Sequence, residues 1–270
     1  MEVKMGIKMG VIIIPFYLFA LLPFLMSCSH IDEDERLVYV KPAQVVRCVL
    51  LEDFTGQRCV NCPKASEEIQ KLTAQYGEDA VVAVGIHSGP LGFRTNSRFV
   101  GLSTDAGDAY FDHWQLDFQP VGLIDRNGPV EYPAWGTRIR EELQKPAPVA
   151  IVAEAWSVSD TLAVSVAVTA TDGNTAGRLQ LWVVEDSVTA FQLMPDGTRN
   201  DTYLHRHVLR AAINGVWGED VRVDEGNTFR TNCRMPMDAD WNREHLSVVA
   251  FVYDETGVLQ VTKTHPQPLP

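Results

Sequence analysis

The chain has 270 residues, with 23 Lys and Arg against 35 Asp and Glu, a formal net charge of −12. That acidic balance, with no Lys/Arg-rich segment against it, argues against nucleic acid as a partner. Hydrophobic residues make up 46% of the sequence, which leaves material for two ordinary domains once the N-terminal segment is set aside.

Lys4 and Lys8 precede an uncharged stretch from Gly10 to Met26 that is almost wholly apolar. Pro15 and Pro23 interrupt it, and it is short for the ~20 residues that a membrane-spanning helix needs. It ends in Leu25-Met26-Ser27-Cys28, which resembles a bacterial lipobox. A thiol is required there because the diacylglyceryl group is attached through sulfur, and cleavage then leaves cysteine as the first residue. Residues 1–27 therefore read as a lipoprotein signal peptide, and Cys28 as the lipid-attachment site through which the chain meets a membrane. A single acyl chain binds only marginally, at ~0.8 kcal/mol per buried methylene, so a stable anchor takes two or three. Ser29, rather than Asp, after the cysteine favours the outer membrane. Asp32-Glu33-Asp34-Glu35 then opens an acidic tether over residues 28–44, a solvated linker that also resembles the export signal of surface-displayed lipoproteins. Removal of Glu2, Lys4 and Lys8 leaves 21 basic and 34 acidic residues, a net charge of −13.

From residue 45 to 146 strand-like and helix-like segments alternate. Val45–Leu51 is a near-continuous apolar run, as in a strand covered on both faces. Ala65, Ile69, Leu72 and Tyr76 fall on one face of a helix from Pro63, which Gly77 stops. Ala80–Ile86 is a second buried strand, Asp105–Trp114 a helix, Val121–Ile124 a third strand, and the segment around Gly128-Pro129-Val130 a hairpin strand. Trp135, Ile139 and Leu143 mark a closing helix. This order predicts an α/β domain with a mainly parallel sheet. After Pro146-Ala147-Pro148 the period becomes two: Leu162, Val164, Val166 and Val168 alternate with smaller or more polar residues. Strands are also expected over Leu179–Val184, Tyr203–Leu209, Thr228–Met235, Leu246–Tyr253 and Val258–Thr262, with Asp172-Gly173, Asp196-Gly197 and Asn214-Gly215 as turns. Residues 147–270 thus read as an all-β, immunoglobulin-like sandwich.

The segment Leu51-Glu52-Asp53-Phe54-Thr55-Gly56-Gln57-Arg58-Cys59-Val60-Asn61-Cys62-Pro63 carries the chemistry. It places Cys-x-x-Cys directly after a buried strand and at the start of a helix, where unpaired N–H groups and the positive end of the helix dipole favour thiolate. Arg58 would push the same way. Two intervening residues let Cys62 close a small, reducible ring with Cys59. No second Cys-x-x-Cys or matched histidine pair supplies the remaining ligands of a zinc site, and nothing here calls for a cofactor. His205 and His207, two apart on an expected strand, lack a third metal ligand and read as surface or packing residues. Cys48 reads as a buried thiol in the first strand. A Cys48–Cys233 bridge between the domains is a further option that spacing alone leaves open.

Residues 45–146 resemble the thioredoxin fold. Asp53-Phe54 stands six residues before Cys59, as the buried acid does in thioredoxins, and Pro120 immediately precedes the strand Val121–Ile124, where that fold has a cis-proline facing the redox pair. The resemblance implies Cys59 as nucleophile, Cys62 as resolving thiol, Asp53 as proton carrier and Pro120 as shaping a substrate groove. Arg58 stands where thioredoxins usually have Trp, and Val60-Asn61 is neither the Gly-Pro nor the Pro-His pair of well-known reductases and oxidases. The fold alone does not fix function: the pair is either a turning-over dithiol or a static disulfide. The lipobox, LEDFTGQRCVNCP, QPVGLIDR and the later YLHRHVLRAAING together resemble the twenty-eight-kilodalton outer-membrane lipoprotein family over essentially the whole mature chain. That resemblance implies an outer-membrane protein acting as a binding or structural module, and brings no established enzymatic activity. The alternative is an envelope thiol–disulfide oxidoreductase whose partner is a protein disulfide rather than a protein ligand.

Overall fold

The computed structural model describes residues 45–268, so the signal segment, Cys28 and the acidic tether lie outside the described residues. The first seven-residue strands, β1 (Val49–Thr55) and β2 (Val81–His87), run parallel and are buried along their whole length. Helix α1 (Cys62–Tyr76) connects them, with Pro63 in its first turn and Gly77 at φ 90° closing it. Strand β1 begins four residues later than the apolar run suggests and runs on through Glu52 and Asp53, whose carboxyl groups are buried. Helix α2 (Asp105–His113) starts where the Thr104 side chain accepts from the Gly107 amide. Strand β3 (Val121–Ile124) adds antiparallel to β1 and β4 (Pro129–Val130) antiparallel to β3, and helix α3 (Trp135–Glu142) follows.

The strands that follow are β5 (Val149–Val158), β6 (Thr161–Ala170), β7 (Thr175–Glu185), β8 (Val188–Leu193), β9 (Arg199–His205), β10 (Val208–Ala212), β11 (Glu219–Val223), β12 (Thr228–Pro236), β13 (Leu246–Asp254), β14 (Gly257–Thr264) and β15 (Gln267–Pro268). The fold is thus mostly β, in mixed sheets, with three α-helices among the described residues. Period-two burial of β6 is as expected, with Leu162, Val164, Val166 and Val168 facing inward. Four strands carry no early signal: β5, β8, β11 and the two-residue β15. The expected strand over Tyr203–Leu209 is broken, because His207 adopts φ 55° and separates β9 from β10.

The expected boundary at 146/147 is bridged by hydrogen-bonded strands. Residues 45–268 lie in one compact unit, and strands from both sides of that point share a nine-stranded sheet in the order β14-β13-β7-β10-β2-β1-β3-β4, with β11 also on β7. The join is narrow: β10 meets β2 at Val208 and Gly85, where the Gly85 amide donates to the His207 carbonyl at 2.7 Å. A Cβ on Gly85 would sit 3.3 Å from the Arg206 carbonyl oxygen, so glycine there permits the approach. Periodicity reports how each strand is covered, and is silent on which strand lies beside it.

The sheet curls until β14 reaches the start of β1. Cys48 donates its amide to Gln260 Oε1 (2.9 Å), Gln260 Nε2 donates to the Val46 carbonyl (2.8 Å), and Arg47 pairs with Asp125 (2.6 Å) while donating to the Val258 carbonyl (2.7 Å). Inside the curl, Leu50, Phe54 and Val84 pack with Trp182, Phe251 and the α2 residues Tyr110 and Phe111. On the other face, α1 and α3 cover β1 and β2, while the β12-β6-β5-β15 sheet covers β7 and β13. Cys48 and Cys233 are both free thiols, Cys48 just ahead of β1 and half-buried, Cys233 in β12; the bridge considered between them is not formed. Among the described residues no helix is long and apolar enough to cross a membrane.

Candidate functional site

Cys59 and Cys62 are joined by a disulfide with Cα atoms 5.4 Å apart. Cys62 is the first residue of α1, and Cys59 lies in the turn that leads from β1, its amide donating to the Gly56 carbonyl at 3.0 Å. Both residues are enclosed, at 2% and 1% exposure. The cover comes from the β8–β9 hairpin, more than 130 positions away in sequence. Gln192 Nε2 donates to the Cys59 carbonyl (2.8 Å) and to the Gly56 carbonyl (3.3 Å), and the Leu193 amide donates to the Gln57 carbonyl (2.9 Å). Gln57, fully buried, returns the tie by donating to the carbonyls of Val100 (3.0 Å) and Phe191 (3.2 Å). The Arg58 guanidinium stacks over the Phe93 ring at 5.0 Å, so its contact is with an aromatic side chain.

Asp53 projects from β1 on the α1 side, since its neighbours Glu52 and Phe54 point into the curl. It is 2% exposed, its Oδ1 has no hydrogen-bond partner, and burial pushes its carboxyl up to about 8. A cavity of about 30 Å³ lies beside it, bordered by Cys62, Thr55, His87, Tyr203 and His205, enough for one water molecule. His87 closes β2 with Nδ1 unpartnered, and burial, then the nearby His205, holds it well below the usual histidine range. Burial lowers His205 to about 4, and the two rings stand edge to face at 5.0 Å. At neutral pH this pocket therefore holds a protonated carboxyl and two neutral imidazoles beside Cys62. Such a set is uncharged at rest, and can deliver a proton from Asp53 or accept one at an imidazole.

The structure thus brings together Asp53, Cys59 and Cys62. Pro120 is buried at the head of β3, and the Gln119–Pro120 peptide is cis. His205 faces His87, and His207 pairs with Asp186 at 3.2 Å. Among the described residues, no group of three or more His, Cys, Asp or Glu side chains is placed to hold a metal ion. His87, Gln57 and Gln192 escaped the sequence-based assignment. For His87 the signal existed, as it continues the alternation of β2 onto the Asp53 face; Gln192 sits in a strand with no pattern of its own.

The family described as "Outer membrane protein Omp28" matches residues 107–268. No curated protein matches the chain. Among solved structures, HBP35 of Porphyromonas gingivalis is similar at 15% identity with a TM-score of 0.62, over 82% of this chain and 75% of that one; at that identity the likeness is one of fold. A domain of the outer membrane lipoprotein Omp28 from Porphyromonas gingivalis is 25% identical over 46% of this chain and 92% of its own, with a TM-score of 0.35.

Proposed function

This chain belongs to the outer membrane protein Omp28 family, and from that premise we propose that it is a lipoprotein, anchored through lipid on Cys28, that works as a binding or structural module. Its place is the outer membrane of the cell envelope. In this proposal residues 45–146 are a thioredoxin-like scaffold and residues 147–270 an immunoglobulin-like sandwich fused to it edge to edge, with the body displayed on the acidic tether. The observation that carries the proposal is the enclosure of the disulfide. With Cys59 and Cys62 at 2% and 1% exposure beneath the β8–β9 hairpin, neither sulfur offers a line of approach to a protein disulfide, because exchange depends on access of thiolate to sulfur.

The test uses the mature chain in an insulin-reduction assay, with the potential of the Cys59–Cys62 pair measured alongside. We expect no turnover above the reductant alone and a potential below about −300 mV, the range of structural bridges. Turnover that disappears in Cys59→Ser would overturn the proposal. Membrane fractionation with acyl labelling tests the anchor, which Cys28→Ser should abolish.

One observation favours a second function, thiol–disulfide exchange: the protonated Asp53 and its one-water cavity beside Cys62. In that chemistry a dithiol reductant first opens the Cys59–Cys62 bridge, and the Cys59 thiolate then attacks a substrate disulfide and expels one substrate thiolate. The Asp53 carboxyl gives its proton to that departing thiolate and then takes the proton of Cys62, whose thiolate attacks Cys59 Sγ, re-forming the internal disulfide and releasing the second substrate thiolate. The exchange requires the hairpin to lift, so a Gln192→Ala variant should gain activity if this is the function.

A further inference from the structure

A second cavity, of about 600 Å³, opens at the mouth of the curled sheet, remote in sequence from the disulfide loop. Its size falls in the ~300–1,000 Å³ range of small-molecule pockets. Five segments converge on it: the end of α2, the turn after β3, the start of β7, the loop between β10 and β11, and the β13–β14 turn. Its walls are aromatic, from Trp114, Trp217 and Tyr253.

The polar groups decide what such walls can receive. Arg126 lies at the inner end, 7% exposed, with Nε and Nη2 on the Glu52 carboxylate at 3.2–3.3 Å. Its guanidinium stands 4.4 Å from the Tyr253 ring centroid and 4.8 Å from that of Phe251. Among the described residues, its Nη1 donates to no protein atom, and the buried Trp114 Nε1 likewise has no partner. Both Asp125 and Arg126 sit at positive φ, 49° and 60°, a backbone that side-chain-bearing residues rarely enter. The chain holds this arginine at the cavity by a strained turn. On the outer side are Asp254, whose Oδ1 is taken by Thr256, and the exposed Glu255.

Charge narrows the ligand. A cation offers no acceptor to the unpartnered Trp114 Nε1 and Arg126 Nη1 donors. An anion would find both guanidiniums already matched, Arg126 by Glu52 and Arg178 by Asp220. What remains is a neutral molecule with flat apolar faces for the rings and groups that both donate and accept. Hydroxyls do both, taking N–H from Trp114 and Arg126 and giving O–H to Asp254 and Glu255. We propose that this cavity is a binding site for a neutral saccharide unit, one pyranose ring stacked among Trp114, Trp217 and Tyr253.

The mature chain, applied to an array of neutral and acidic glycans, tests the site, with affinities for retained glycans measured by tryptophan fluorescence. Retention of neutral hexose-containing glycans is expected, with loss of about tenfold or more in affinity for Trp217→Ala. Trp114→Phe, which keeps a ring and removes the N–H, should cost about threefold, and Trp156→Ala, on the small β-sheet, should change nothing. Thermal melts accompany each variant; if Trp217→Ala fails to fold, Trp114→Phe decides. No retained glycan, retention confined to acidic glycans, or parent-like affinity in the folded pocket variants overturns the proposal.

Discussion

Glu52 and Asp53 are consecutive carboxylates on one buried strand, yet the alternation of β1 sends them into two different interiors. Glu52 points into the curl, where Arg126 matches it at 3.2 Å and Tyr110, Trp182, Phe251 and Tyr253 surround the pair. Burial pushes the Glu52 carboxyl up and Arg126 pulls it back; burial also works against the guanidinium charge, and Glu52 more than offsets this, raising Arg126. Asp53 points to the disulfide side with one oxygen unpartnered and no cation to match it. The same chemical group is therefore a charged strut on one face and a neutral proton store on the other. The difference lies in the partner, since a buried charge persists only where an opposite charge and hydrogen bonds replace its water.

The contrast breaks most visibly at the strut. Glu52→Gln leaves the Arg126 charge unmatched among aromatic rings and should lower stability by about 3–5 kcal/mol, roughly a 10 °C fall in thermal midpoint for a body of this size. Glu52→Leu combined with Arg126→Met should recover most of that loss. A single Glu52→Gln variant within 1 °C of the parent would show that the pair is not a strut.

Asp53→Asn should act in the opposite direction and depend on pH. The folded chain holds the Asp53 proton up to about pH 8, whereas an unfolded aspartate releases it near 3.9. The stability this lends is fully present below about pH 4 and is lost as pH rises through 8. The variant, which never pays that loss, should match the parent at pH 4 and exceed it by about 2–4 kcal/mol at pH 8, read from denaturant midpoints. A pH-independent difference would remove the claim of a protonated carboxyl.

Gln192→Ala removes the side-chain clamp on the Cys59 turn, for a loss of about 1 kcal/mol. The Cys59–Cys62 bridge should then be reduced several-fold faster by dithiothreitol, followed by alkylation and mass measurement; an unchanged rate would mean the hairpin is not the barrier. Smallest of all, Arg58→Ala removes an exposed stacking contact with Phe93 and should cost about 0.5 kcal/mol.

Much of this arrangement was legible in the chain itself. Apolar periods locate α1, β2, β3 and β6, and the Cys59-x-x-Cys62 spacing after a buried strand brings the disulfide into view, because these signals are local or follow from strand alternation; Asp53 and Pro120 entered through the resemblance to the thioredoxin fold. Cys28 and its lipid stay an inference from the N-terminal pattern alone, outside the described residues. Tertiary structure alone decided the rest. It fused the two expected bodies through Val208 and Gly85, laid an unforeseen hairpin over the cysteines, set His87 against His205, and closed the aromatic cavity around Arg126. Each of these depends on residues far apart in sequence coming into register. A local period fixes which face of a strand is buried, and leaves to packing which surface buries it.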